Sequence, residues 1–295
     1  MEAKHEKKAT YYVLATVLFW STVATAFKIG LNQWLPSQLL LVASATTLLI
    51  LSSTLFVTGK LSLLFKVSRK TLALLAILGF LNPFLYYLVL FEAYSLLPAQ
   101  VAQPLNMIWP IVLVLLSIPL LKKQVHWKSI IALIISFTGV LFISSQGEFF
   151  SIQKSNPVGI ALGVGSAFIW ALFWILNVKC KENEIVKLFW NFFFATIFLF
   201  VYIALFSEFR FDWGTGFKAA IYIGLFEVGI AYILWFKALS LSKNPARIAN
   251  LIYIAPFLSL FFIRFILKEE IFISTVIGIF FIISGILYQQ AVQKK

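Results

Sequence analysis

The stretch Phe217-Lys-Ala-Ala-Ile-Tyr-Ile-Gly-Leu-Phe-Glu-Val-Gly-Ile-Ala-Tyr-Ile-Leu-Trp-Phe236 sets the reading of the whole chain. Its 20 residues are apolar apart from one end and one interruption, Glu227, placed halfway along between Gly224 and Gly229. A helix crossing a hydrocarbon core of roughly 30 Å needs about 20 residues, so such a segment spans a bilayer and puts the carboxylate near its midplane. A charge at that depth is expensive and is expected to face a cavity used by an ion or substrate. The other reading is a protonated glutamate that ties neighbouring helices together.

Composition extends this reading to all 295 residues. Hydrophobic residues make up 61% and charged residues 12% of the chain, against about a quarter charged in a soluble domain. The expected fold class is therefore an all-α polytopic membrane protein. The net charge of +13 would suggest nucleic acid only if it formed a basic patch on a soluble face. Here Lys and Arg fall in short clusters between apolar runs, as in membrane loops, so no nucleic-acid partner is expected. The single cysteine, Cys180, allows neither an internal disulfide nor a thiolate metal cluster.

In chain order, residues 1–10 form a polar arm with Lys4, Lys7 and Lys8. Tyr11–Leu31 is too long for the apolar region of a cleaved signal and is read as the first span. Further spans are expected from Pro36 to Val57, Thr71 to Phe91, Pro98 to the Lys122-Lys123 pair, and Trp127 to Ser145. The polar segment 146–156 divides the chain almost in half and is taken as a linker between repeats covering 11–145 and 157–288. The second half gives spans near Pro157–Val178, Leu188–Phe206, Phe217–Phe236, Pro245–Leu267 and Ile271–Tyr288, followed by a tail, 289–295. With ten helices and the N-terminus inside, only Lys28, Lys154, Arg210, Lys218, Arg264 and Lys268 of the 24 Lys and Arg lie outside. That asymmetry predicts both termini in the cytoplasm.

The halves resemble one another. A shift of 145 lays Gly79 on Gly224, Tyr87 on Tyr232, Phe91 on Phe236 and Ala93 on Ala238, and a shift of 146 lays Pro110 on Pro256 and Gly139 on Gly285. Five helices per repeat force the second copy upside down, the architecture of alternating access. Under the same shift Glu227 falls on Asn82, so two equivalent helices each offer a polar group at one depth. Asn82 precedes Pro83 and is read either as a direct participant or as part of a proline kink.

Polar residues recur at helical spacing elsewhere. Gln100, Gln103, Asn106 and Pro110 share one face of the fourth span, Trp170, Trp174 and Asn177 one face of the sixth, and Trp20 with Ala24 one face of the first. Lipid gives an amide no partner, so these faces point into protein, either as contacts between helices or, with Tyr86, as walls of a substrate cavity near Asn82 and Glu227. Lys28 and Arg264 lie near outer helix ends, where they either snorkel or attract an anion to the outer mouth. Gly159-x-x-x-Gly163 suits a close helix contact.

Together these features resemble the drug/metabolite transporter superfamily, and within it the EamA-like ten-helix carriers. The residues that carry the resemblance are Leu18-Phe-Trp-Ser-Thr22, Glu92-Ala-Tyr-Ser-Leu96, Pro110–Lys123, and Pro256–Glu270 followed by Gly278 and Ser284-Gly285. EamA halves carry a proline in the fourth helix and an acid just after it. Pro256 with Glu269 or Glu270 matches that pattern, whereas the first half has Gln124 where Glu270 aligns. The resemblance implies a secondary carrier, often an exporter of amino acids or other small metabolites, built from two inverted repeats. It assigns no substrate-binding residue.

The function expected from sequence is export of a small metabolite such as an amino acid, with Glu227 as the proton-coupling or substrate-binding group. The alternatives are exchange of an anionic or phosphorylated metabolite, a channel, or a structural membrane subunit. An enzyme is not expected: His5 and His126 are the only histidines and no second acid stands mid-span. No cofactor and no metal are called for. The partners expected are the lipid bilayer, the small-molecule substrate and protons, with the chain a monomer or homodimer in a bacterial inner membrane.

Overall fold

A computed structural model describes residues 2–121, 127–146, 156–207, 212–243, 248 and 250–293. The expected linker at 146–156 lies outside these residues except at its two ends, as do Lys122, Lys123, Gln124, His126, Pro245, Arg247 and the last two lysines. The described residues form helices without strands. Eight are long and apolar enough to cross a membrane, and two shorter apolar helices, Lys128–Ser144 and Leu251–Leu267, complete the ten spans expected.

Local sequence explains where the helices begin. Pro36 opens α2 (Pro36–Val57) with its ring at a position that needs no N–H, while Gln38 accepts a hydrogen bond from the Leu35 amide. Ser68 caps α3 (Arg69–Gly79), Asn156 caps α8 (Pro157–Asn177) and Asn183 caps α9 (Glu184–Phe206), each accepting from backbone amides of the first turn. The first helix, α1, runs unbroken from Glu2 to Leu31 and includes the polar arm expected to stand apart. The cause is packing: Ala9, Val13 and Val17 are buried against Ala238, Ile248 and Ala255, and the Glu6 carboxylate accepts hydrogen bonds from Ser242 Oγ and the Lys243 amide.

Two spans are interrupted in the middle. The third consists of α3, a kinked turn Phe80–Leu85 that contains the non-helical Asn82, and α4 (Tyr86–Leu96). The eighth consists of α10 (Thr215–Ile223), a π-helical turn Gly224–Gly229, and α11 (Ile230–Leu241). Because Gly79 aligns with Gly224, the interruptions occur at the same place in both halves. A second pair recurs likewise: the fourth span breaks between α5 (Ala99–Asn106) and α6 (Trp109–Leu121), and the ninth passes through a 3-10 turn, Leu251–Ile254, before α12 (Ala255–Phe262).

The chain divides into two compact units that cut across the sequence halves. The first comprises Met1–Phe84 and Lys181–Leu267, the second Leu85–Cys180 and Lys268–Lys295. In the first, α1 packs on α10, α11 and α12, α2 on α9, α10 and the turn Gly224–Gly229, and α3 on α9. In the second, α8 packs on α4, α5 and α6, and α7 (Lys128–Ser144) packs along α13 (Ile273–Gln293). The α7–α13 pair approaches closely because it lacks side chains at the contact: a Cβ on Gly139 would lie 2.5 Å from Gly278 O, and one on Gly278 2.6 Å from Gly139 O. The expected Gly159-x-x-x-Gly163 contact is also present, with Gly159 against Leu97 and Gly163 against Leu105.

These approaches differ sharply from Gly165, which has nothing within 4 Å of a built Cβ. Gly278→Ala is therefore expected to destabilise the protein by about 1–3 kcal/mol through overpacking, and Gly165→Ala to leave it unchanged or slightly firmer. Thermal unfolding of the two purified variants in detergent measures the contrast.

Candidate functional site

The turn Gly224–Gly229 owes its shape to its two glycines. A Cβ on Gly224 would lie 2.5 Å from Ala43 O and 2.6 Å from Thr46 Cβ, so α2 crosses directly over the interruption. A Cβ on Gly229 would lie 2.7 Å from Gly224 O, the carbonyl at the start of the same turn. The wider turn shifts carbonyls out of the regular helical ladder, and within a membrane they require other donors. Thr47 Oγ1 donates to Gly224 O at 3.0 Å, and Trp20 Nε1 donates to Glu227 O at 2.8 Å. One turn further on, Thr16 Oγ1 lies 3.4 Å from Ala231 O.

Glu227 is half-buried in this turn, held by its own backbone against α1. Around it, Phe226 packs against Phe19 and Tyr222 with ring centroids 4.7 Å apart in each case, and Tyr222 OH shares a 2.6 Å hydrogen bond with Thr22 Oγ1. Trp20 also packs against Tyr232 and Trp235. The expectation that Trp20 lies beside Glu227 thus has a definite form: its indole grips the carbonyl of that very residue.

At the equivalent turn Phe80–Leu85, Asn82 has an extended backbone (φ −150°, ψ 119°) and the Asn82–Pro83 peptide is cis. The sequence left open a kink or a direct role, and the geometry shows a kink, with the extended Asn82 parting two helical segments. Asn82 is 7% exposed, and its Oδ1 is buried without a hydrogen-bond partner among the described residues. Phe84, two residues on, packs on Phe80, Phe198 and Tyr202. Behind the interruption, Gly79 admits α9 so closely that a Cβ there would lie 2.5 Å from Asn191 O.

The remaining candidates belong to the second unit. Tyr86 donates through its hydroxyl to Asn106 Oδ1 at 3.1 Å, and Asn106 Nδ2 donates to Ser166 Oγ at 2.8 Å, joining α4, α5 and α8. Tyr86 also packs against Trp170 at 4.7 Å between centroids, and Trp170 against Trp174 at 6.1 Å. Trp170 and Trp174 are half-buried and Asn177 is buried at the end of α8. Gln103 is half-buried on α5. Trp20, Lys28, Asn82, Glu227 and Arg264 lie in the first unit, and the structure brings Trp20 and Glu227 together. Lys28 is half-buried in the last turn of α1, and Arg264 is exposed in a π-helical turn, Ile263–Leu267, that ends the ninth span.

One expected face is corrected. Gln100, Gln103, Asn106 and Pro110 share a stripe only if the fourth span is one continuous helix, and the break after Asn106 puts Pro110 in a separate helix. Gln100 is fully engaged in holding a turn: its Nε2 donates to Glu270 O at 2.6 Å, and its Oε1 accepts from Phe272 N at 2.9 Å and from Thr275 Oγ1 at 3.3 Å. Sequence reasoning also missed the work of Glu269. Its carboxylate accepts from the Ala99 and Gln100 amides, capping α5 where the helix dipole favours negative charge. The acid after Pro256 thus fastens the turn to the start of α5.

Among the described residues no group of three or more His, Cys, Asp or Glu is placed to hold a metal ion. The arrangement is that of a polytopic membrane transporter, with interrupted helices carrying polar groups at matched positions. The sequence model of the EamA-like transporter family matches residues 7–145 and 157–288, and the chain belongs to that family. It is similar to an uncharacterized transporter of Clostridium kluyveri, 25% identical over 98% of this chain and 95% of that one. An uncharacterized transporter of Archaeoglobus fulgidus is 28% identical over 60% of this chain and 62% of its own length. A solved structure with 18% identity shares the fold at a TM-score of 0.69, covering 98% of both chains.

Removing the Trp20 indole N–H while keeping an aromatic ring leaves the Glu227 carbonyl without its donor. Trp20→Phe is expected to cost about 1–3 kcal/mol, the usual penalty for an orphaned buried acceptor, seen as a lowered unfolding temperature in detergent. Thr22→Val, which removes a hydroxyl pair away from the interruption's carbonyls, is expected to cost less.

Proposed function

We propose that this protein is a secondary-active exporter of a small metabolite such as an amino acid, working by alternating access of two inverted five-helix repeats, 11–145 and 157–288. The observation that carries this reading is the recurrence of an interrupted helix at the same place in both halves, with Asn82 in one and Glu227 in the other. Discontinuous membrane helices with polar groups at mid-span are how carriers of this build form their sites, because an interruption frees backbone and side-chain groups for a ligand without exposing them to lipid. Glu227 is the coupling group in this reading. It carries a proton in one orientation and yields it when water or a substrate amine reaches it in the other, so that proton entry drives export. Asn82 supplies the neutral polar group of the other repeat.

The same reading places the chain in the inner membrane with both termini in the cytoplasm, as monomer or homodimer, and puts Lys28 and Arg264 at the outer mouth. Gln103 and Asn106 line the substrate path beside Tyr86. The protein moves its substrate without altering it, in keeping with its family.

Reconstitution in liposomes tests the proposal. Uptake of a labelled amino-acid and metabolite panel is expected to saturate for at least one compound and to rise with an imposed pH gradient. Glu227→Gln is expected to lower gradient-driven transport by about tenfold or more while leaving substrate exchange within about threefold of the unmodified protein. An unchanged pH dependence in that variant would rule out coupling through Glu227.

A further inference from the structure

The connection between the second and third spans, residues 58–70, has to lie at the edge of the bilayer, because both of its neighbours cross it. Gly59, at φ +67°, turns the chain out of α2, and a 3-10 turn, Leu61–Lys66, follows before Ser68 caps α3. A 3-10 turn has three residues per turn, so its side chains fall into three rows. Leu61 and Leu64 form one row, continued by Val67, and the buried Leu64 and Val67 pin the segment to its unit. Ser62 and Phe65 form the second, and the Phe65 ring is 85% exposed. Lys60, Leu63 and Lys66 form the third. Arg69 and Lys70 follow at the start of α3, and all four cations are exposed.

The fold gives these charges no counterpart. The chain has no Asp or Glu between Glu6 and Glu92, and among the described residues none of Lys60, Lys66, Arg69 and Lys70 takes part in an ion pair. Arg69 and Lys70 occupy the first turn of α3, where the helix dipole favours acids and disfavours cations, so helix stability does not account for them either. The connection after α8 is different, since Lys179 and Lys181 are followed there by Glu182 and Glu184. An exposed ring beside four cations suits neither water alone nor hydrocarbon alone. It suits the boundary, where a ring enters the acyl region while Lys and Arg stay at headgroup level.

From this arrangement we infer that residues 58–70 are a docking surface for anionic phospholipid, with Phe65 set among acyl chains and Lys60, Lys66, Arg69 and Lys70 on the headgroup phosphates. Charge selects the lipid. A zwitterionic headgroup also carries a phosphate, but its own cation repels the four on this segment, whereas a net negative headgroup attracts them all. A soluble phosphate ester offers the charge without the chains that cover Phe65, so the surface takes lipid rather than free phosphate. The inference goes beyond the carrier reading and does not depend on it. It requires only spans that cross a membrane and holds for either orientation of the chain.

The test is native mass spectrometry of the full-length protein released from detergent, titrated with phosphatidylglycerol or with phosphatidylcholine of the same acyl chains. Glycerol phosphate serves as the soluble competitor. The first phosphatidylglycerol is expected to bind about tenfold more tightly than phosphatidylcholine, and equimolar glycerol phosphate to displace none of it. Lys66→Gln with Arg69→Gln is expected to weaken phosphatidylglycerol by about tenfold or more, and Phe65→Ser by about threefold or more. Lys179→Gln with Lys181→Gln removes the same charge elsewhere and is expected to change binding by less than about twofold. Every replaced residue is exposed, so lipid-free unfolding temperatures are expected to stay within about 2 °C of the unmodified protein. Equal affinity for the two lipids, displacement by glycerol phosphate, or full affinity in either the Lys66→Gln/Arg69→Gln or the Phe65→Ser variant would overturn the inference. An equal loss in the Lys179→Gln/Lys181→Gln variant would overturn it as well, by reducing the effect to net charge.

Discussion

A helix interrupted inside a bilayer has carbonyls that water cannot reach and lipid cannot satisfy, and the first unit of this protein is arranged around that constraint. The interruption at Gly224–Gly229 is sustained from two directions. From α1 comes the Trp20 indole, donating to Glu227 O, and from α2 the Thr47 hydroxyl, donating to Gly224 O. The glycines admit this arrangement, because a side chain at Gly224 would meet Ala43 O and Thr46 on α2 and one at Gly229 would strike the turn's own first carbonyl. Glycines, donors and carboxylate are thus one device. The glycines let the helix open, the donors hold it open, and the opening leaves Glu227 on a widened turn.

The same economy explains why the compact units cut across the sequence halves. The interruption at Phe80–Leu85 separates α3 from α4, so one membrane span contributes to both units. Its counterpart in the second half does not: α10 and α11 both pack on α1 and stay in the first unit. The two repeats are alike in sequence and in the place where their helices break, yet they differ in what lies beyond the break. The polar residue differs with them, a carboxylate whose backbone is gripped by a neighbour in one repeat and an amide on extended backbone in the other. A pair of repeats that differ in this way can hold unlike groups for unlike tasks, which a strictly symmetric pair cannot.

Much of this was legible in the sequence, for identifiable reasons. Hydropathy marks spans because a bilayer sets their length, so the eight span-length helices and the two shorter apolar ones all fall where spans were expected. The stretches Gly224–Gly229 and Asn82-Pro83, where the helices are interrupted, stood out because polar and helix-breaking residues are conspicuous in apolar runs. What was hidden is what depends on exact helical phase and on partners distant in the chain. The expected face from Gln100 to Pro110 assumed one continuous helix, and the turn residues Met107 and Ile108 divide it, which nothing in Gln-Pro-Leu-Asn-Met-Ile marks. The donors Thr47 and Trp20 were two among many hydroxyls and aromatic rings, and only the fold singles them out. The length of α1 was misjudged because polar residues at a chain start read as an arm until Ala9 and Val13 are seen against the ninth span.

The acid near the end of the ninth span has a definite structural task. Glu269 follows Lys268, whose positive φ of 59° turns the chain out of the ninth span, and its carboxylate then caps α5. Gln100, in the capped turn, reaches back to Glu270, Phe272 and Thr275. The turn between the last two spans and the start of α5 are therefore fastened reciprocally, side chain to backbone in each direction. α5 itself is short, contains Pro104 and ends at a break, so its own ladder supplies few hydrogen bonds and its position has to be set from outside. That external fastening holds Asn106 at the far end of α5, where it meets Tyr86 and Ser166.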